Sequence, residues 1–176
     1  MSHLVKYTVT ARAFHWISAI MVFALFGLGV WMRTLDYYHP WYQPAPDLHK
    51  SAGILLVVLI LARLVYRLYQ RPPAPLTTHK PWEVKLAHAT HFLLYGALAV
   101  IFVSGYLIAT SEGRGIMVFD LFSVPALIEP FTDQEDIAGE IHEWVAYGLM
   151  GLVGLHIIGA LKHKFIDKDD TVKRML

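Results

Sequence analysis

Four long apolar segments constrain the fold of this 176-residue chain more than any other feature. They span roughly residues 11–32, 48–69, 84–110 and 137–161. Within them, the stretches 17–32, 51–62, 86–111 and 144–161 contain no Asp, Glu, Lys or Arg. About 20 apolar residues cross the hydrocarbon core of a bilayer as a helix, whereas the helices of a soluble bundle each carry a charged face. The sequence therefore predicts an all-α integral membrane four-helix bundle, with residues 1–176 forming a single domain.

The charged residues predict the orientation of these spans. If the N-terminus is cytoplasmic, twelve of the fifteen Lys and Arg residues lie on the cytoplasmic side, Arg71 among them, and only Arg33, Lys50 and Arg114 lie on the other. Ten of the fourteen acidic residues also fall on that other side. The positive-inside rule then places both termini in the cytoplasm. Aromatic residues typical of a membrane interface follow the first span: Trp31, Tyr37, Tyr38, Trp41 and Tyr42.

The residue types exclude several kinds of site. Cysteine is absent, which removes disulfides, thiolate metal sites, iron–sulfur clusters and covalently attached haem. A net charge of only +1 gives no field that indicates nucleic-acid binding. Histidine is abundant, with ten residues. A metal or redox site in this chain would therefore be built from imidazole.

Two of these histidines, His142 and His156, lie in the fourth span, fourteen residues apart. In an α-helix that spacing is a rise of about 21 Å and nearly four full turns, so both side chains point to the same side. One then lies near each membrane surface. Ionisable side chains at such depths are candidates for function.

The topology supplies a partner for each of them. His15 lies near the cytoplasmic start of span one, at the same depth as His156. His49 lies near the outer start of span two, at the same depth as His142. Haem iron accepts two imidazole ligands from different helices, whereas zinc takes at least three protein ligands. His88 and His91 in span three are rivals for the inner level.

Other residues are less specific. His3, His79 and His163 fall outside the spans, where solvated side chains are expected. Arg63 and Arg67, near the inner end of span two, either bind haem propionates or extend toward lipid phosphates. Several glycines could make room for a flat ligand or serve ordinary helix packing: Gly53, Gly148, Gly151, Gly154 and Gly159.

Four segments carry a family resemblance: RAFHW (12–16), DLHKSAG (47–53), LAHATHFLLYG (86–96) and HEWVAYGLMGLVGLHIIGALKHKF (142–165). They resemble the bacterial di-haem cytochrome b-561 family over nearly the whole chain. The resemblance implies two haem b groups, an inner one held by His15 and His156 and an outer one held by His49 and His142. It leaves His88 and His91 without an iron to bind.

The resemblance also implies an oxidoreductase of the bacterial inner membrane that passes electrons from superoxide, at the periplasmic side, to ubiquinone. Lys50, Arg33 and Arg114 are the outer cations that could attract the superoxide anion, although the loop around them is acidic. Arg12, Ser18, His88 and His91 are the expected neighbours of the quinone. No fused soluble domain and no further protein partner is expected.

Three alternatives remain open on the residues alone. A cytochrome b subunit that exchanges electrons with quinol would use its acidic outer loop to dock a basic periplasmic redox protein. A histidine-lined transporter would carry a divalent metal and show no haem absorbance. A non-redox assembly protein would hold its histidines at paired depths by coincidence.

Overall fold

The computed structural model describes residues 5–70 and 72–176, so His3 and Arg71 lie outside the described residues. Four long helices dominate it: α1 (Val9–Met32), α2 (Pro44–Tyr69), α3 (Pro81–Ala109) and α4 (Gln134–Lys162). Each is long and apolar enough to cross a membrane. The prediction of a bundle of four membrane helices is confirmed in this respect.

The helices begin two to four residues before the predicted segments and end within one residue of them. The first turns of the helices carry polar residues, which stabilise a helix start but have low hydropathy. The apolar segments therefore begin later than the helices themselves. Thr8 Oγ1 accepts a hydrogen bond from Ala11 N at 3.2 Å, a typical N-cap contact. Proline occupies the first position of α2 and of α3, where its missing N–H costs nothing.

The helices pack as two pairs, α1 on α2 and α3 on α4. A small core joins the pairs midway along the bundle, made of Leu56, Ile60, Leu98 and Leu149. Many other apolar side chains point outward, among them Phe92, which is 76% exposed. Such an apolar surface suits hydrocarbon rather than water. The histidines of the two candidate sites lie on either side of this core, at levels called here the outer gap and the inner gap.

A short β-hairpin closes one end of the bundle, where the sequence predicts only a loop. Strands β1 (Ile116–Val118) and β2 (Phe122–Val124) pair antiparallel. Phe119 and Asp120 turn the chain between them with positive φ angles of 48° and 56°. The hairpin rests on α2, where Ser51 Oγ accepts a hydrogen bond from Phe119 N at 3.1 Å. The fold is thus mostly helical, with a β cap at what is called here the outer end.

The opposite, inner end is closed by the C-terminal segment. Arg174 donates from Nε to Val5 O and from Nη1 to Ala74 O, both at 2.9 Å. Tyr7 N donates to Arg174 O at 3.1 Å. Both terminal segments and the loop between α2 and α3 therefore meet at one end of the bundle.

We expect Arg174→Ala to loosen this inner end without disturbing the helices. Hydrogen bonds from a charged donor contribute about 1.5–3 kcal/mol each, so amide exchange of residues 5–8 and 172–176 should accelerate roughly tenfold or more. Hydrogen–deuterium exchange with mass spectrometry measures this. Lys173→Ala is the matched control, since Lys173 is exposed and pairs with Asp170, its neighbour in the same segment. Equal exchange in the two variants would contradict the account.

Candidate functional site

The outer gap holds His49, from the start of α2, and His142, from α4. Their ring centroids lie 6.2 Å apart with the planes at 70°. Both rings line a cavity of about 640 Å³ bounded by all four helices and by Ile116 of the hairpin. The structure therefore brings together the two histidines that the sequence placed at one level, and leaves space beside them.

The hydrogen bonds of these two rings define which nitrogens are available. His142 Nδ1 lies 3.1 Å from the carbonyl oxygen of Ile101, and a carbonyl can only accept. Nδ1 therefore carries the proton, which leaves the lone pair of Nε2 free. His49 Nδ1 is buried and has no hydrogen-bond partner among the residues that the structure describes.

Two glycines form the surface against which the outer rings rest. A Cβ at Gly105 would lie 3.0 Å from His142 Cε1, and one at Gly29 would lie 3.2 Å from His49 Cε1. Both distances are shorter than ordinary van der Waals contacts, so a Cβ at either position would push the ring away. The rings can occupy these positions because both residues are glycine. By contrast, a Cβ at any of the five glycines singled out in the sequence would meet nothing within 4 Å.

The inner gap holds His15 from α1 and His156 from α4, with ring centroids 6.3 Å apart and planes at 70°. His91 of α3 joins them, its centroid 5.2 Å from that of His156. His91 Nδ1 donates to its own helix at Ala87 O, at 2.6 Å. His88, the other histidine of α3, is exposed.

Arg63 also enters the inner gap. Its Nη2 lies 3.1 Å from His15 Nδ1, and its guanidinium carbon lies 5.8 Å from the ring centroid of Tyr95. Because a guanidinium only donates, His15 accepts through Nδ1 and carries its proton on Nε2. Arg67, one turn further along α2, is exposed.

A repeated spacing underlies both levels and was missed in the sequence. Each helix contributes two positions fourteen residues apart, one to each level. These pairs are His15 and Gly29, His49 and Arg63, His91 and Gly105, and His142 and His156. The spacing stands out in the sequence only where both members are histidine, so Gly29 and Gly105 were not predicted as site residues.

The three outer cations each have an acidic partner. Lys50 Nζ lies 2.8 Å from Asp47 Oδ1, Arg33 pairs with Glu143, and Arg114 pairs with Glu112. Lys50 and Arg33 line the outer cavity, and Arg114 is not part of its lining.

The expected neighbours of a quinone differ in their surroundings. Ser18 is buried and donates its hydroxyl to Phe14 O at 2.5 Å. Arg12 Nε and Tyr95 Oη are buried and have no hydrogen-bond partner in the part of the chain that the structure describes. Tyr95 was not singled out in the sequence.

The expectation that His79 and His163 are solvated is wrong. Their side chains are only 14% and 16% exposed, and both contact Asp169 Oδ2. Burial by itself raises the pKa of the Asp169 carboxyl, but hydrogen bonds from Thr171 and the nearby His163 outweigh it and hold that pKa below its ordinary value. The C-terminal segment folds back over these side chains, and hydropathy does not predict this burial.

The family model for prokaryotic cytochrome b561 matches residues 6–176. The chain belongs to that family. It is similar to cytochrome b561 homolog 2 of Escherichia coli (strain K12), with 48% identity over 97% of this chain and 91% of the relative. It also matches the probable superoxide oxidase CybB of Yersinia pestis, with 27% identity over 97% and 96%. Cytochrome b561 homolog 1 of the same E. coli strain is 26% identical over 97% of each chain.

As a prokaryotic cytochrome b561, the protein is a multi-pass protein of the bacterial inner membrane and a b-type haem electron-transfer protein. The residues of the outer gap fit such a group. Two imidazoles that hold one metal ion between them, each through a bond of about 2 Å, would have ring centroids roughly 6 Å apart. The spacing of the inner pair also fits. For His15 Nε2 to bind a metal ion, its proton must move to Nδ1, which requires Arg63 to release its hydrogen bond to Nδ1.

Proposed function

We propose that this cytochrome b561 oxidises superoxide at the periplasmic side and reduces ubiquinone, with two b-type haems as its cofactors. His49 and His142 hold the outer haem, and His15 and His156 hold the inner one. The observation that supports two haems is the pair of nearly equal spacings, 6.2 Å and 6.3 Å, at the two levels. The name of the Yersinia relative supports the choice of superoxide.

A b-type haem held by two of these imidazoles would exchange single electrons and would leave no iron position open to O2. Other residues of the chain orient the histidine rings. The Ile101 carbonyl fixes the tautomer and the ring plane of His142, as outer partners of metal-binding histidines commonly do. The half-buried Arg63 is placed to bind a propionate of the inner haem, while the exposed Arg67 suits lipid phosphates.

We place the inner end, with both terminal segments, in the cytoplasm. Twelve of the fifteen Lys and Arg residues belong to that side by the topology, as the positive-inside rule requires. The outer cavity with its histidine pair then opens toward the periplasm.

Lys50 is the outer cation best suited to attract superoxide, because it follows His49 directly and lines the same cavity. Its partner Asp47 is 68% exposed, and exposed ion pairs contribute only about 0–1 kcal/mol. The ammonium group therefore remains available to an approaching anion. Arg33 lies at the same cavity but is paired with Glu143, the neighbour of His142.

Quinone reduction needs protons as well as electrons: two superoxide ions give two O2, and ubiquinone takes up two electrons and two protons. His91 suits the proton transfer at Nε2, since its Nδ1 is bound to Ala87 O. The unpartnered Arg12 Nε is a donor for a quinone carbonyl. Ser18 is less suited, because its hydroxyl is already donated within α1, and His88 is exposed.

One observation favours a second function, electron exchange between quinol and a basic periplasmic redox protein. All three outer cations are paired with carboxylates, and Glu112, Glu135 and Glu143 line the outer cavity. The outer surface is therefore acidic, which suits docking of a basic partner. Wild-type haem that ubiquinol reduces and superoxide does not would support this function over the first.

We expect Lys50→Glu to slow haem reduction by superoxide at least about threefold at low ionic strength, because it replaces local attraction by repulsion. The difference should shrink as added salt screens the charges. Stopped-flow absorbance with a superoxide source, over a salt series, measures both effects. Lys6→Glu makes the same charge change at the inner end and should leave the rate unchanged. A Lys50→Glu rate and salt slope equal to those of the wild type would refute the role of Lys50.

We also expect Gly105→Ala to lower the haem content from two toward one per chain. The added methyl group would displace the His142 ring, 3.0 Å from the new Cβ. Gly29→Ala should act in the same direction on His49, and more weakly, since the distance is 3.2 Å. The pyridine haemochromogen assay gives the content. Gly96→Ala and Gly27→Ala are the matched controls on the same helices, because a Cβ there meets nothing within 4 Å. A full haem content in Gly105→Ala would contradict this account of the outer level.

A further inference from the structure

A second cluster of metal-binding side chains lies at the inner end, apart from the histidine pairs within the bundle. His79 comes from the loop between α2 and α3, His163 from the single π-helical turn His163–Asp167 that follows α4, and Asp169 from the C-terminal segment. The Asp169 side chain is only 8% exposed. Three separate parts of the chain thus converge on one half-buried point.

The positions of the donor atoms match those around a small metal ion. His79 Nε2 lies 3.3 Å and His163 Nδ1 lies 3.0 Å from Asp169 Oδ2, and the three atoms all lie within 4.8 Å of one another. Ligand atoms around a tetrahedral zinc ion, with bonds of about 2.1 Å, are about 3.4 Å apart. Two imidazoles and one carboxylate form a common zinc ligand set.

We propose that His79, His163 and Asp169 form a binding site for a divalent transition-metal ion of the zinc class. The fourth position takes water or Asp167, whose Oδ2 lies 2.9 Å from His163 Nδ1. This inference does not depend on the electron donor or acceptor of the protein.

The surroundings hold the ligands in place. Thr171 N donates to Asp169 Oδ1 at 2.8 Å, so the other carboxylate oxygen, Oδ2, is directed at the two histidines. Lys162 binds both Asp167 and Glu83, which ties the π-helical turn to the start of α3. Supporting contacts of this kind orient the ligands of metal sites.

The site would fasten the segment that closes the inner end. The same segment already touches α1, where Trp16 Nε1 donates to Met175 O at 2.9 Å, and it holds Val5 through Arg174. A metal ion shared by the loop, α4 and the tail adds a bond that only the folded chain can make, and so stabilises this end. The role is therefore structural.

The alternative is a cluster without metal, in which hydrogen bonds join the two rings to Asp169 Oδ2 and to Thr171 Oγ1, which lies 2.9 Å from His79 Nε2. Equilibrium dialysis with radioactive Zn²⁺ distinguishes the two. It uses the full-length haem protein without a polyhistidine tag, after removal of adventitious metal by a chelator. The variants are His79→Gln, His163→Gln and Asp169→Asn, and His39→Gln in the exposed outer loop is the control for background histidine binding.

The proposal predicts one saturable Zn²⁺ per wild-type chain and per His39→Gln chain, with affinity at least about tenfold weaker in each of the three ligand variants. Their Soret spectra and elution volumes verify that they are folded. Should a variant fail to fold, the wild type alone gives the answer: Zn²⁺, but not Mg²⁺, should slow amide exchange in residues 74–80 and 168–176. No saturable wild-type binding, undiminished binding in any ligand variant, or exchange unaffected by Zn²⁺ would overturn the proposal.

Discussion

The cost of placing imidazole in hydrocarbon governs this structure. A polar group at that depth is expensive unless it is hydrogen-bonded or bound to a ligand, and the protein meets this demand at two levels. Positions fourteen residues apart on each of the four helices build both levels, because that spacing returns to the same helix face about 21 Å further along. The hairpin and the C-terminal segment then close the two ends.

The two levels are built alike but differ in chemistry. The outer one combines two histidines with two glycines, which leave room and hold the ring positions by contact. The inner one has Arg63 at the position that corresponds to His49 and His91 at the position that corresponds to Gly105, so it carries more hydrogen-bonding groups. The outer level leaves the lone pair of His142 Nε2 free to bind a metal ion, whereas the inner level surrounds its two facing histidines with further polar groups.

The four helices could be predicted from the sequence, and so could the pairing of His15 with His156 and of His49 with His142. Hydropathy locates the spans, charge indicates the side on which each begins, and helical periodicity shows which residues share a face. The role of Gly29 and Gly105 was not, since it depends on which ring lies opposite a missing side chain. The ion pairs of Lys50, Arg33 and Arg114 and the burial of His79 and His163 likewise arise only when distant segments meet. The assignment of haem ligands and electron partners stays a prediction.

The most direct test of the two-level account is the haem content per chain of single histidine variants, measured by the pyridine haemochromogen assay. The account predicts two haems in the wild type and one in each of His15→Ala, His49→Ala, His142→Ala and His156→Ala, while His88→Ala and His91→Ala retain two. Loss of a haem in His91→Ala with full content in His15→Ala would assign the inner ligand to α3 and contradict the pairing. A single haem in the wild type would contradict the existence of two sites.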